Sequence, residues 1–356
     1  MSRFLSSRLQ SLQAYTPGEQ PRDRKYIKLN TNESPYPPST RVLDAVSREA
    51  VSALNLYPDP TCKMLREKLA ARYGVGEDMV FVSNGSDDIL NFCFMAFCNK
   101  EKGMAYADIT YGFYSVFAQL HCVPSCVIAL KDDFTVDVKA FESCGMNVVI
   151  ANPNAPTGIM LPLEDIKRIA FANRDSVVVV DEAYVDFGGE SALSLLPECD
   201  NIIVVRTFSK SRSMAGARLG FAIASPELIA DLELIKYSTN PYDINRLTQI
   251  AGAAAIDSDE YYFDNARKII ETREYTVGRL TAAGFKVIPS KANFIFATYP
   301  GVCGEELYSC LKEKGILVRH FGSERIKEYI RITIGTKEEM DVLCGTLEDI
   351  VSGKGN

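Results

Sequence analysis

A chain of 356 residues is too long for one small core and suits a large domain with a smaller one beside it. Apolar residues make up 47% and charged residues 24%, ordinary proportions for a globular fold, and 39 basic against 46 acidic side chains leave a net charge of −7. This balance offers no basic surface for nucleic acid. No apolar run reaches bilayer length, the longest lying near ILNFCFMAFC, and the leading MSRFLSSRLQSLQAY lacks the apolar stretch of a secretion signal, so a cytoplasmic location is expected.

The first forty residues hold Pro17, Pro21, Pro35, Pro37 and Pro38 and read as an extended arm. Short β-branched runs then alternate with helical patterns, which marks α/β architecture. Strands are predicted at 79–84, 147–152, 176–181, 201–206 and 219–224, and helices at 61–73, 87–98, 163–173 and 226–237, with Pro162 and Pro226 in first helical turns. These strands are apolar throughout, which suits a mostly parallel sheet sandwiched by helices. After residue 245 a long helical stretch runs from Asn245 to about Ala283, broken near Asp257. Strands near 285–288, 293–297 and 328–334, with helices between, make a smaller α+β domain. The expected division is therefore 1–44 as arm and part of the small domain, 45–256 as the large domain, and 257–356 as the small C-terminal domain.

The ten cysteines are scattered without CxxC spacing, and only His121 and His320 are present, so no metal site is expected and the thiols read as buried and free.

Four polar segments each follow an apolar strand, where open α/β sheets bind ligands. Asp181 closes the valine run of SVVVVDEAY, and a carboxylate at such a place is costly unless a cation meets it. It could equally cap a helix or hold a metal. RTFSKSRSMAGARLGF places Lys210 among hydroxyls and the cations Arg212 and Arg218, either a phosphate cradle or a basic surface loop. In VSNGSDD, Gly85, Ser86 and Asp87 open a helix, as a phosphate-binding N-terminus or a plain cap. In IANPNAPTG, Asn152 and Asn154 could simply form turns. Taken together, an acid, a lysine, a phosphate cradle and an amide at one sheet edge form the set that pyridoxal 5′-phosphate (PLP) requires.

With those residues in view, the chain resembles the fold-type-I PLP aminotransferases, and within them the histidinol-phosphate aminotransferase family. The resemblance covers nearly the whole chain. It is carried in order by LNTNESPYPPS, LYPDP, NGSDD, NPNAPTG, VVVDEAYVDF, RTFSKSRSMAGARLGF, NFIFA, GILVRHF and YIRITIG. One departure is Ala155, where the family often has a second asparagine.

The resemblance implies that Lys210 forms the Schiff base with PLP and later moves the substrate proton. It implies that Asp181 pairs with the pyridinium nitrogen, that Asn154 and Tyr184 donate to the phenolic oxygen, and that Tyr111 stacks on the ring. Gly85, Ser86, Asp87, Thr207, Ser209 and Arg218 would line the phosphate pocket, with Tyr57 reaching it from the other subunit of a homodimer. On the substrate side, Arg331 would bind a carboxylate, Arg319 and Tyr15 would lie near a substrate phosphate, and Asn32 would sit in the covering arm. The implied reaction is ping-pong amino transfer between glutamate/2-oxoglutarate and histidinol phosphate/imidazole acetol phosphate. Alternatives on the same scaffold are a threonine-phosphate decarboxylase and an aromatic or broad-range aminotransferase. A PLP domain sensing an effector in a transcription regulator would need an appended DNA-binding domain.

Overall fold

A computed structural model describes residues 4–353; residues 1–3 and 354–356, the outer ends of the expected arm and small domain, lie outside the described residues. Its centre is a seven-stranded sheet in the order 80–83, 220–223, 202–207, 178–181, 147–151, 104–107, 125–128. Only the strand Gly220–Ile223 runs antiparallel to both its neighbours.

The valine run explains the two-sided burial. Side chains alternate faces along a strand, so Val178 and Val180 enter one core cluster with Ile166 and Ile169. Val179 enters the cluster on the other face with Ile89, Leu90 and Leu232. Helices cover both faces, and the strands need no polar side.

Two strands of this central sheet are additions to the sequence reading. Met104–Ala107 (MAYA) carries two alanines, weak β-formers, and Ser125–Ile128 is a short edge strand with only Ile128 buried. Pro162 is the N-cap of the helix Leu163–Ala172 and does not lie in its first turn, whereas Pro226 does occupy the first turn of Pro226–Thr239. The long helical stretch divides at Asp257 and Ser258 into Arg246–Ile256 and Asp259–Ala282.

A four-stranded antiparallel sheet, 319–320, 330–333, 294–298, 286–288, packs with Asp259–Ala282, Gly304–Glu313 and Lys337–Val351 around a further core. The last helix opens with a capping box in which Thr336 and Glu339 satisfy each other's backbone N–H groups. The arm is anchored here: Ile27–Lys28 pairs in parallel with Ile316–Leu317, and Leu29 is buried in the same core. It is not extended throughout, since Ser7–Leu9 forms one 3-10 turn. All ten cysteines are free thiols. The expectation of burial holds for Cys62, Cys93, Cys199 and Cys344 but fails for Cys122 and Cys303, which are exposed at the ends of elements. Among the described residues no helix is long and apolar enough to cross a membrane.

Candidate active site

Register sets the site. Asp181 lies opposite Ala151, where both strands end, and opposite Val205, two residues before the end of Ile202–Thr207, so the loops after these three parallel strands open on one side. Nine residues named from the sequence line a single cavity there: Ser86, Asp87, Tyr111, Asp181, Tyr184, Thr207, Ser209, Lys210 and Arg218.

Asp181 is 5% exposed and accepts from Tyr114 Oη at 2.8 Å and Ala183 N at 3.2 Å. Burial pushes its carboxyl up to about 6 against these two hydrogen bonds. Its partners are neutral, so a cationic ring nitrogen would supply the charge that this carboxylate lacks. Lys210 donates to Thr31 O at 3.3 Å, and its ammonium stands 5.7 Å from the centre of the Tyr184 ring. Asn32 Nδ2 donates to Tyr184 Oη at 3.0 Å.

The phosphate side is built on close backbone approach. Gly85 has φ +91°, and a Cβ there would meet Arg218 Nη2 at 2.7 Å. Gly220 lies against it, where a Cβ would sit 2.5 Å from both Gly85 C and Ser86 N. The helix Ser86–Phe97 begins at Gly85 without a side-chain cap, and Ser86 and Asp87 of its first turn line the cavity, which suits a helix N-terminus that takes an anion. Arg218 bonds Asp87 Oδ2 at 3.1 Å and Ser209 Oγ at 3.3 Å, and Thr207 Oγ1 bonds Ser209 Oγ at 3.0 Å. Tyr111 donates to Asp87 at 2.7 Å, and burial raises the pKa of its phenol. This donor set fits a phosphorylated, cationic aldehyde.

Asn154 stands outside the lining. Its amide donates to Ile109 O and Thr157 Oγ1, both at 3.0 Å, and accepts from Thr110 at 2.8 Å. Tyr57 is likewise not brought to the cavity of its own chain: it is 79% exposed and stacks on Tyr242 with ring centres 4.7 Å apart.

A second cavity opens from the first and shares Lys210, Tyr111 and Tyr184 with it. Tyr15, Asn32, Arg319 and Arg331 all line it. Arg319 and Arg331 are directly opposed in an antiparallel pair, where like charges repel unless an anion lies between them. Arg331 gives one N–H to Asn30 O at 2.9 Å, and its Nε is buried without a partner. Burial lowers its pKa, and Arg319 adds to the effect. Arg319 bonds the arm at Thr16 O and Pro17 O.

Sequence reasoning missed Tyr114 and Gly220. Tyr114 stands three residues after Tyr111 in an aromatic run that reads as core. Gly220 carried a signal, a glycine opening a strand, which often marks a close backbone approach.

Known proteins are similar to this chain in sequence and fold. Residues 24–347 match the family model "Aminotransferase class I and II". A histidinol-phosphate aminotransferase of Brachyspira hyodysenteriae is 50% identical over 352 residues, covering 99% of both chains. One from Clostridium acetobutylicum is 48% identical over 99% of this chain and 100% of its own. The fold is also that of the Sinorhizobium meliloti histidinol-phosphate aminotransferase solved with pyridoxal-5′-phosphate, with a TM-score of 0.85 at 24% identity over 99% of this chain and 98% of that one.

Proposed function

The chain belongs to the class I and II aminotransferases, and from that premise we propose that it transfers an amino group between glutamate/2-oxoglutarate and histidinol phosphate/imidazole acetol phosphate, a step of histidine biosynthesis. It is a PLP-dependent transaminase. When bound, PLP supplies an aldehyde that condenses with amines and a cationic ring that withdraws electrons from the amino-acid α-carbon.

The residues then divide the work. Lys210 Nζ would hold the aldehyde, and once displaced would take the proton from the substrate's α-carbon. Asp181 would keep a proton on the ring nitrogen, and the Asp181–Tyr114 bond holds the carboxylate in place for it. Tyr184 Oη is the donor available to the phenolic oxygen, with Asn154 behind it. Gly85, Ser86, Thr207, Ser209 and Arg218 would hold the phosphate, while Asp87 orients Arg218 and Tyr111. Tyr111 would cover one ring face. Tyr57 would act in trans, across a homodimer interface formed by the exposed apolar surface around Leu43, Val51, Leu54, Leu56, Met64 and Tyr242.

Arg319 and Arg331, opposed across one strand pair beside Lys210, carry the substrate assignment. One arginine suffices for glutamate's α-carboxylate. Two arginines with Tyr15, under the arm that holds Asn32, also suit a substrate that presents a phosphate and no carboxylate. Glutamate would leave as 2-oxoglutarate before the keto acceptor enters.

Initial rates on a panel of amino substrates test this reading. Histidinol phosphate should exceed histidinol in kcat/KM by roughly 10²–10⁴-fold, since charge-assisted bonds contribute about 1.5–3 kcal/mol each and two are lost. Carbon dioxide release from threonine phosphate with little glutamate half-reaction, or faster turnover of phenylalanine than of either, would overturn it.

A further inference from the structure

Next along the chain from residues that line the cavity lies a largely buried charge network that the residues assigned above do not use. Arg206, 7% exposed, sits in the strand Ile202–Thr207, four residues before Lys210. It pairs with Asp186, gives a second N–H to Tyr73 Oη at 3.0 Å, and holds its Nε 3.8 Å from Glu182 Oε2. Asp186 also accepts from Ser211 Oγ. Glu182, 2% exposed, accepts from Ser191 Oγ at 2.7 Å and Ala192 N at 2.6 Å. Burial lifts Glu182 to about 7. Burial acts on Asp186 too, but Arg206, the Ser211 hydroxyl and Arg212 outweigh it and hold its carboxyl below the ordinary range.

Burying a guanidinium between two carboxylates is costly, and an apolar side chain would stabilise the strand at least as well. The network's value lies in what it joins. Asp186 follows Tyr184 by two residues, and Ser211 follows Lys210 by one. The two strands pair up to Asp181 and Val205, and Glu182 N to Val205 O at 2.8 Å is the last backbone bond between the segments that follow. Beyond it, the Asp186 carboxylate is the bridge.

We infer that Asp186, clamped between Arg206 and Ser211, is a positioning residue that fixes Lys210 against Tyr184 for amino transfer. This rests on the amino-transfer reading above, with Lys210 as the amine that takes the cofactor. Asp186 lines neither of the two cavities, so its effect has to pass through the geometry of its neighbours.

The test uses the purified holoenzyme and the variants Ser211→Ala, Ser211→Thr and Asp186→Asn. Ser211→Ala should melt within a few degrees of wild type, yet lower kcat of the glutamate half-reaction about tenfold, or about 1.4 kcal/mol on the barrier, with KM within about twofold. The visible circular dichroism of bound cofactor should change, and amide exchange in the apoprotein should quicken across 183–188 and 208–214. Ser211→Thr, which keeps the hydroxyl, should restore all three readouts. Asp186→Asn should exceed Ser211→Ala in effect; if it does not fold, Ser211→Ala decides alone. Unchanged kcat and dichroism in Ser211→Ala, or a loss of activity that only follows melting temperature, would overturn the inference. Failure of the underlying reading is distinct: borohydride would then label wild-type protein at a residue other than Lys210.

Discussion

Asp181→Asn in the cofactor-free protein should raise stability while it disables the enzyme. The folded state holds the Asp181 carboxyl at about 6 against an ordinary 3.8. A difference of about two units at 1.36 kcal/mol each amounts to about 3 kcal/mol. Because Asp181 is buried, solvent screening removes little of this. The folded state binds the proton more tightly than the unfolded chain does. The penalty is therefore absent below about pH 4, grows between pH 4 and 6, and is complete above. Asparagine cannot ionise; its Oδ1 can accept from Ala183 N while its Nδ2 donates to Tyr114 Oη, a hydroxyl able to accept, so it removes the penalty and keeps both contacts with one bond reversed. Glu182 titrates nearby but is common to both proteins and cancels in the difference. Urea unfolding of both apoproteins from pH 4 to 8 measures the effect. The two curves should meet near pH 4 and separate by about 3 kcal/mol at pH 8, with the variant more stable. Its glutamate half-reaction should fall at least about 10²-fold, as for a lost preorganised charge. A variant less stable at pH 8, or a stability difference independent of pH, would refute the reasoning.

Three further outcomes are expected. Mixing inactive Lys210→Ala chains with impaired Tyr57→Phe chains should restore activity through mixed dimers, and full activity in isolated monomers would contradict a residue donated in trans. Gly220→Ala places a methyl 2.5 Å from the backbone of Gly85 and Ser86 and should weaken cofactor binding at least about tenfold, measured as PLP dissociation, since overpacking costs about 1–3 kcal/mol. Arg319→Ala should shrink the preference for histidinol phosphate over histidinol more than it slows the glutamate half-reaction, whereas Arg331→Ala should damage both.

What the sequence made legible is what local chemistry marks. The valine run ending in Asp181 announces a buried strand with a charge at its exit, and the loop around Lys210 follows the next strand. Pro226 opens its helix, and the break near Asp257 coincides with a real boundary. The strand Met104–Ala107 escaped because alanine carries no β signal, and its place is decided by neighbours 147–151 and 125–128 on either side. Arg206, Asp186 and Ser211 escaped because their partnership joins separate segments; as sequence, Arg206 reads only as the end of the strand 201–206 and Ser211 as a hydroxyl of the loop after it. The opposition of Arg319 and Arg331 needs the antiparallel register to appear at all. Asn154 was named for its motif, but its hydrogen bonds turn out to be spent within the fold.

Borohydride reduction of the purified, PLP-loaded protein, followed by peptide mapping, bears most directly on amino transfer at Lys210. The yellow absorbance should vanish, one pyridoxyl label should appear on Lys210, and unreduced protein given glutamate should release about one equivalent of 2-oxoglutarate per chain. A label on another lysine, or none, would contradict the assignment of Lys210 and with it the proposed transfer.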